Sequence, residues 1–277
     1  MRKSSTNLLL IGPAALMVVA LFMYPLAFSL VSAVTNDDLT LTLAHFVKVF
    51  ELYSNDIRFT VIIVLSSIAI LAVLSIGISA MIVLSPYKKL VVMLGVLYRL
   101  PLFIPFIVAA QMMRTFLAKN GLMNNTLVAA GLMTPFETVS FLGWSGIIIT
   151  FVWKQLAFTT LLISGAMAAL DQSQIRAAQN LGATRIRILI EIIIPQVLPS
   201  IGVALVLSTV TIMSVLSVPL MIGTGSPTMI TADMAFRVNS YGDYHVANAL
   251  GMISYLICAA LAWFYLRKTL REKGAMS

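Results

Sequence analysis

The chain has 277 residues, of which 60% are hydrophobic and only 10% are charged. With a mean hydropathy of +1.00, this composition excludes an ordinary soluble domain and is typical of an integral membrane protein. The net charge of +8 would suit nucleic-acid binding only if the basic residues formed one patch, and they are instead dispersed along the chain. We therefore expect a membrane protein with lipid around it and no nucleic-acid partner.

Six apolar segments are each long enough to cross about 30 Å of hydrocarbon, which takes roughly 20 helical residues. They cover residues 8–34, 59–85, 91–117, 143–170, 197–222 and 246–266. The first is far longer than the apolar core of a signal peptide, so we expect a retained helix. Pro101 and Pro105 predict a third helix that begins late or is broken. The predicted fold class is all-α, an integral membrane bundle of six transmembrane helices forming a single domain over residues 1–277.

The distribution of basic residues predicts the orientation. With both termini in the cytoplasm, the inner side holds eleven lysines and arginines and the outer loops hold four, as the positive-inside rule requires. The inner residues are Arg2, Lys3, Lys88, Lys89, Arg176, Arg185, Arg187, Arg267, Lys268, Arg271 and Lys273, and the outer ones are Lys48, Arg58, Lys119 and Arg237. We therefore predict a multi-pass protein of a bacterial cytoplasmic membrane with both termini inside.

A polar loop of residues 171–196 separates the fourth and fifth predicted spans. Ile175, Ala178 and Leu181 are spaced by three, which predicts one apolar face of a short helix. Gly182 predicts a stop or a bend, after which the apolar periodicity resumes. Two short amphipathic helices joined at a glycine would suit docking onto a partner protein. They would equally suit an interfacial helix on anionic lipid, and the residues alone leave both interpretations open.

The same loop resembles the signature of the permeases of binding-protein-dependent ABC importers. That signature reads Glu-Ala-Ala, three residues, Gly, nine residues, and Ile-x-Leu-Pro. Here Ala177 and Ala178 are followed by three residues and Gly182, and nine residues later the chain reads Ile-Ile-Ile-Pro and ends the motif at Pro195. Arg176 stands where the family has glutamate, so one charge of the motif is reversed.

The resemblance implies that residues 171–196 form a coupling helix that docks on a separate ATPase subunit. The expected contact residues are Ser173, Arg176, Ala177, Ala178, Leu181, Gly182, Ala183, Arg185, Arg187 and Pro195. It also implies two ATPase subunits, a second permease that is homologous or identical, and a periplasmic or extracellular solute-binding protein. ATP and Mg²⁺ would belong to the ATPases, because this chain lacks a phosphate-binding loop of the GxxxxGK[ST] type. We therefore expect no cofactor and no catalytic residue in this chain.

The solute is predicted from weaker features. The sequence from Asn180 to Ala183 and the stretch around Pro219 and Gly223 resemble the polyamine, ferric iron, sulfate and phosphonate branches of the family, and a polyamine is favoured. Candidate pathway-lining residues are Lys154, Ser208, Thr211, Met213, Ser214 and Ser217. A lysine inside a span is a functional hypothesis, although it can also snorkel or pair with a second permease. The hydroxyls can equally bond their own helix or a neighbouring one.

Other functions are less consistent with the sequence. An intramembrane enzyme, such as a lipid-modifying transferase, would need facing acidic groups or a Ser/His/Asp set, and the predicted spans contain neither. A secondary transporter would need inverted repeats and intramembrane carboxylates. His45 and His245 fall in separate outer loops, so we predict no metal site.

Overall fold

The computed structural model describes residues 12–274, without the side chains of residues 264 and 266–274, and these residues fold almost entirely as helices. The start of the first predicted span and the inner charges Arg2 and Lys3 lie outside the described residues. The helices are α1 (Gly12–Val34), α2 (Ala44–Leu84), α3 (Lys88–Leu97), α4 (Phe106–Leu117), α5 (Leu122–Ala129), α6 (Trp144–Ala168), α7 (Gln172–Asn180), α8 (Arg185–Ser214), α9 (Ser217–Ile222), α10 (Ile230–Phe236) and α11 (Tyr244–Gly274). The predicted all-α membrane fold is confirmed.

Five of these helices are long and apolar enough to cross a membrane, namely α1, α2, α6, α8 and the first 20 residues of α11. The sixth candidate is a bent pair, Lys88–Phe103 followed by Phe106–Ala129, whose halves meet at 108°, as in a broken span or a re-entrant loop. The third predicted span is therefore a broken element instead of one helix over residues 91–117. Pro101 lies in a 3-10 turn and Pro105 immediately precedes α4, as expected where proline removes backbone donors and crowds the preceding turn.

The second span belongs to a much longer helix than the sequence predicted. α2 has 41 residues and is roughly 60 Å long at 1.5 Å per residue, about twice the thickness of the hydrocarbon. The predicted span, residues 59–85, is its apolar second half. Its first half carries Lys48, Glu51, Asp56 and Arg58, which broke the apolar pattern without breaking the helix.

The fifth span also differs from its prediction. α8 begins at Arg185, twelve residues before the predicted start, and ends at Ser214, so that residues 217–222 form the separate helix α9. A π-helical turn, Leu189–Ile193, lies directly before Pro195 and accommodates its missing backbone donor. The predicted second helix of the polar loop is therefore the first part of this span.

The bundle is held by close packing between these long helices. Phe59 and Ile63 of α2 pack with Ile147 and Phe151 of α6 in one buried cluster that also includes Ile212 of α8. Where α8 crosses α11, Gly202 lies against the ring of Tyr265, whose hydroxyl donates to the Pro199 carbonyl. A Cβ atom at residue 202 would lie only 1.6 Å from Cε2 of Tyr265. Only glycine fits this crossing without moving the ring.

We predict that Gly202→Ala lowers the free energy of unfolding by about 1–3 kcal/mol, because the added methyl group forces apart two packed helices. Thermal unfolding of the purified chain in detergent measures the effect. Gly77→Ala in α2 is the matched control, since a Cβ there meets no atom within 4 Å. The control is expected to leave the midpoint unchanged or slightly raised, and an equal loss in both variants would contradict the packing argument.

Candidate functional site: the coupling loop

The loop of residues 171–196, which we call the coupling loop after its predicted role, is anchored to the bundle by one buried side chain. Ile175 of α7 is only 4% exposed. It joins a cluster of apolar residues from the end of α6 and the start of α8, namely Ile163, Met167, Ile188, Ile193 and Val197. The side-chain amide of Gln196 donates a hydrogen bond of 3.0 Å to the side-chain oxygen of Gln174, which adds a polar contact between α7 and α8. The loop is therefore wedged between the ends of two membrane spans.

α7 begins at a capping carboxylate. Asp171 accepts hydrogen bonds from the Ser173 amide at 2.8 Å and from the Ser173 hydroxyl at 2.7 Å. These bonds to Ser173 hold the pKa of Asp171 below its ordinary value, because they stabilise the charged carboxylate. Ser173, a predicted ATPase contact, is thus part of the cap that starts the helix, and its contact with a partner stays a prediction.

α7 ends in a turn that requires glycine. Gly182 has a φ of +80°, its amide donates to the Gln179 carbonyl, and the next amide, from Ala183, donates to the Ala178 carbonyl, both at 3.0 Å. This pair of bonds is the Schellman arrangement, in which the residue with positive φ is nearly always glycine. Ala178 and Ala183 both pack against the cluster around Ile175. These three small residues, of which Ala178 and Gly182 belong to the signature, therefore build the turn and seat it on the bundle.

The opposite face of the loop is open. Arg176, Ala177, Leu181 and Arg185 are all exposed, and Leu181 is 89% exposed. The predicted apolar face of Ile175, Ala178 and Leu181 is wrong in its last member. Six residues at about 100° each rotate Leu181 roughly 120° away from Ile175, so the two cannot share a face. The structure instead presents Leu181 to the surroundings as an apolar tip.

The arginines of the coupling loop differ in their contacts. Arg187 donates to Glu191 at 2.9 Å across one helical turn, and both side chains are exposed. Within the part of the chain that the structure describes, Arg176 and Arg185 make no hydrogen bond or ion pair through their side chains. Pro195 is exposed near the start of the span. The basic groups on the open face are therefore available to an acidic partner surface.

Lys154, predicted as a pathway residue, is buried in the bundle with 8% exposure. Its amine donates to the Pro101 carbonyl at 2.7 Å and lies 5.0 Å from the centre of the Phe106 ring. It therefore satisfies a carbonyl at the break in the third crossing. This geometry favours a structural role, and contact with a solute stays a prediction.

The predicted hydroxyl stripe of the fifth span does not form one open surface. Ser208 is fully buried and shares a 2.8 Å hydrogen bond with Thr159 of α6, while Met213 is 6% exposed in the central cluster. Thr211 and Ser214 donate to carbonyls four residues earlier in their own helix. Ser217 lies beyond the end of α8, half-buried. Ser214 is the exposed member of this set, and a lining role for all of these residues stays a prediction.

A buried polar network at the other end of the bundle was missed by sequence reasoning. Asp56 accepts from the Thr228 amide at 2.5 Å, and Thr60 accepts from the Ile230 amide at 3.0 Å. Burial, together with the nearby Asp56 carboxylate, raises the pKa of Asp233 to about 7. The hydrogen-bonded residues of this network come from segments about 170 residues apart, so their spacing along the chain did not indicate the contact.

The two histidines are closer together than their separate loops suggested. Their rings stack with centroids 4.8 Å apart, and His245 contacts Asp37 at 3.1 Å. In residues 12–274, as far as their side chains are described, no group of three or more histidine, cysteine or acidic side chains is arranged to hold a metal ion. The pair ties α2 and α11 to the connection after α1.

Taken together, the described residues form a multi-span helical bundle with a wedged, outward-facing helix at one end. Residues 61–267 match the family described as "Binding-protein-dependent transport system inner membrane component". The match covers well over half of the chain, and the protein belongs to this family. It is accordingly a multi-pass inner-membrane protein, and the prediction of a non-catalytic subunit is confirmed by its relatives, which are permease proteins.

Two relatives illustrate the sequence similarity. The sulfoquinovosyl glycerol transport system permease protein of Agrobacterium fabrum is 30% identical over 128 residues, 45% of this chain and 42% of its own length. The trehalose/maltose transport system permease protein of Thermococcus litoralis is 28% identical over 124 residues, 44% of this chain and 42% of its own. Each match thus spans less than half of the relative.

Solved structures establish the fold more completely. A chain of the bacterial alginate ABC transporter, crystallised with an alginate pentasaccharide-bound periplasmic protein, superposes with a TM-score of 0.82 at 21% identity, covering 98% of this chain and 96% of that one. A chain of the MetNI methionine ABC transporter superposes with a TM-score of 0.62 at 15% identity, covering 79% and 95%. The bundle is therefore a permease fold along nearly its whole length.

We predict that Ile175→Ala lowers the free energy of unfolding by about 2–5 kcal/mol, because it empties the centre of a packed cluster. Leu181→Ala is the matched variant in the same loop and is expected to change it by less than about 0.5 kcal/mol. Thermal unfolding, with hydrogen exchange of the α7 amides, measures both. Equal effects of the two substitutions would contradict the anchor.

The raised pKa of Asp233 predicts a pH dependence of stability. The folded chain retains a proton that the unfolded chain releases above pH 3.8, so the free energy of unfolding falls as the pH rises towards about 7. Asp233→Asn is expected to remove this part of the decrease. Unfolding midpoints at pH 5 and pH 8 test it, with the exposed Asp38→Asn as a control that keeps the wild-type difference. An unchanged difference in Asp233→Asn would refute the assignment.

Proposed function

We propose that this chain is the permease subunit of an ATP-driven importer, in which it forms half of the translocation pathway for a sugar or an oligosaccharide. The observation that carries the proposal is the coupling loop, a rigid helix with its anchor buried and its apolar tip exposed. The remaining parts would be two ATPase subunits that bind ATP and Mg²⁺, a second permease, and a solute-binding protein outside. The orientation that fits has both termini and the coupling loop in the cytoplasm.

The geometry of the loop supports docking onto a protein over lying on lipid. Leu181 stands at the tip of a glycine turn, and the exposed Ala177 beside it leaves room for a partner surface to approach closely. Arg176 and Arg185 flank this apolar tip. A small apolar centre bordered by charges is the usual composition of a protein interface.

The same loop suggests how nucleotide-driven motion reaches the membrane. α7 contacts α6 and α8 through Ile175, and α8 begins at Arg185, only two residues after Ala183. No flexible linker separates the docking helix from the fifth span. When ATP binding draws the ATPases together, each coupling loop would follow and would carry the ends of both spans with it.

The choice of solute follows the relatives and departs from the polyamine preference. The relatives whose names state a solute transport sulfoquinovosyl glycerol, trehalose and maltose, or alpha-glucosides. None of these names supports a polyamine, phosphonate, sulfate or ferric iron. The residues that suggested those branches lie in the coupling loop and near α9, and the four around Gly182 form a turn that does not depend on the solute.

We predict that Leu181→Glu abolishes co-purification with the ATPase subunits while leaving the fold intact, because a charge replaces the apolar tip. ATP hydrolysis stimulated by the solute-loaded binding protein should fall at least about tenfold, the effect of 1.4 kcal/mol at one contact. Leu132→Glu is the matched control, since Leu132 is 76% exposed and lies far from the loop in sequence.

Two results would refute the proposed function. One is ATPase association and stimulation that survive Leu181→Glu unchanged. The other is solute uptake into vesicles by this chain alone, driven by an ion gradient with no ATPase present. Loss of association in both Leu181→Glu and Leu132→Glu would show a general folding defect and would equally reject the assignment of the tip.

A further inference from the structure

A cavity of about 470 Å³ lies at the end of the bundle opposite the coupling loop. Its walls come from α2, from the start of α6, and from residues 223–228 between α9 and α10. α6 has 25 residues and is roughly 38 Å long, so its start, at Trp144, lies across the membrane from the coupling loop. In the orientation proposed above, the cavity opens to the outside, where a binding protein would release its solute.

The walls of this outer cavity are fixed by hydrogen bonds behind them. The buried Asp56 and Thr60 hold the amides of Thr228 and Ile230, and the Gly143 amide donates to the Ile222 carbonyl at 2.9 Å. These bonds fix the two ends of the 223–228 segment, to α6 through Ile222 and to α2 through Thr228 and Ile230. A site that is preformed in this way needs little ordering of its own when a ligand binds.

One wall offers an aromatic face. Trp144 is 57% exposed although it lines the cavity, so much of its indole surface is open. The ring of Phe59, with its centroid 5.8 Å away and tilted by 57°, packs on it and restricts its orientation. A large apolar ring beside polar groups suits a ligand with one apolar face and hydroxyls on its edge, which is the shape of a pyranose.

α2 supplies the cavity with a polar and charged contact. Arg58 lines the cavity, and in the described part of the chain it makes no hydrogen bond or ion pair. None of the described residues that line the cavity is an aspartate or a glutamate, and Asp56 lies buried with its carboxylate accepting from the Thr228 amide. Further polar groups along the walls come from Asn55, Thr224, Ser226 and Thr228. The cavity therefore carries an uncompensated positive charge among hydroxyl and amide groups.

From this combination we infer that the outer cavity binds an acidic sugar unit, with Arg58 on its carboxylate or sulfonate and Trp144 against the apolar face of its ring. A guanidinium pairs with such anions through two parallel hydrogen bonds, which makes it selective as well as attractive. The positive charge repels a polyamine, and the described residues of the walls supply no carboxylate or imidazole for ferric iron. The inference rests on the proposed function. It adds the charge of the solute and the site at which that charge is recognised.

The test uses the full chain with its partner subunits in lipid nanodiscs, titrated with D-glucuronate and D-glucose, which differ only in the group at C6. Tryptophan fluorescence reports binding, and Trp144→Phe identifies the signal of the cavity. Glucuronate is expected to bind at least about tenfold more tightly than glucose. Arg58→Gln should remove that difference, and Arg58→Lys should retain part of it because the charge remains.

Lys119→Gln is the matched control, since it removes one exposed positive charge at the same predicted membrane face, outside the cavity. It should keep the preference for glucuronate. The inference is overturned by equal binding of the two sugars, by a preference that survives Arg58→Gln, or by a fluorescence response that does not depend on Trp144. It is also overturned if Arg58→Gln weakens only the association of the binding protein, since the cavity would then be a docking surface.

The experiments distinguish failure of this inference from failure of the proposed function. If glucose binds as well as glucuronate while Leu181→Glu still uncouples the ATPases, the importer assignment stands and only the acidic preference is lost. If the coupling experiments fail, the proposed function falls whatever the sugar titrations give.

Discussion

Every backbone amide and carbonyl inside a membrane needs a partner from the protein, and this chain meets that requirement at the places where its helices break. Lys154 donates to the Pro101 carbonyl at the bend of the third span, and Thr60 accepts from the Ile230 amide at the start of α10. Lys154, which looks like a solute ligand in the sequence, is thus committed to the backbone. The buried hydroxyls of Ser67, Ser75 and Thr160, within α2 and α6, have no hydrogen-bond partner among the described residues.

The residues of the coupling loop divide between two tasks. Ala178, Gly182 and Ala183 build a turn and seat it on the bundle, while Ala177 and Leu181 face away from it. The first group is fixed by the fold of this chain and the second by whatever docks there. Arg176, the residue that departs from the family signature, belongs to the exposed group. A reversed charge at this position therefore leaves the turn unchanged and alters only the surface that a partner meets.

The sequence predicted the elements whose signal is local. Apolar runs located the spans, Pro101 and Pro105 located the break, and Gly182 located the turn between α7 and α8. What it missed depends on contacts between distant segments, such as that of Lys154 with a carbonyl 53 residues away, or on departures from the apolar pattern, such as the charged first half of α2. The outer cavity needs three segments to meet and had no signal of its own. The polyamine preference came partly from residues 180–183, which build a turn and carry little information about the solute.

The length of α2 has a consequence for the order of events in transport. If its end at Leu84 marks one hydrocarbon boundary, roughly 20 residues reach the other near residue 64, so that Asn55 and Arg58 stand beyond the lipid. A solute that pairs with Arg58 there can keep much of its hydration shell. The transporter would thus select its solute before the solute loses its hydration shell. Only selected molecules would then undergo the costly transfer out of water.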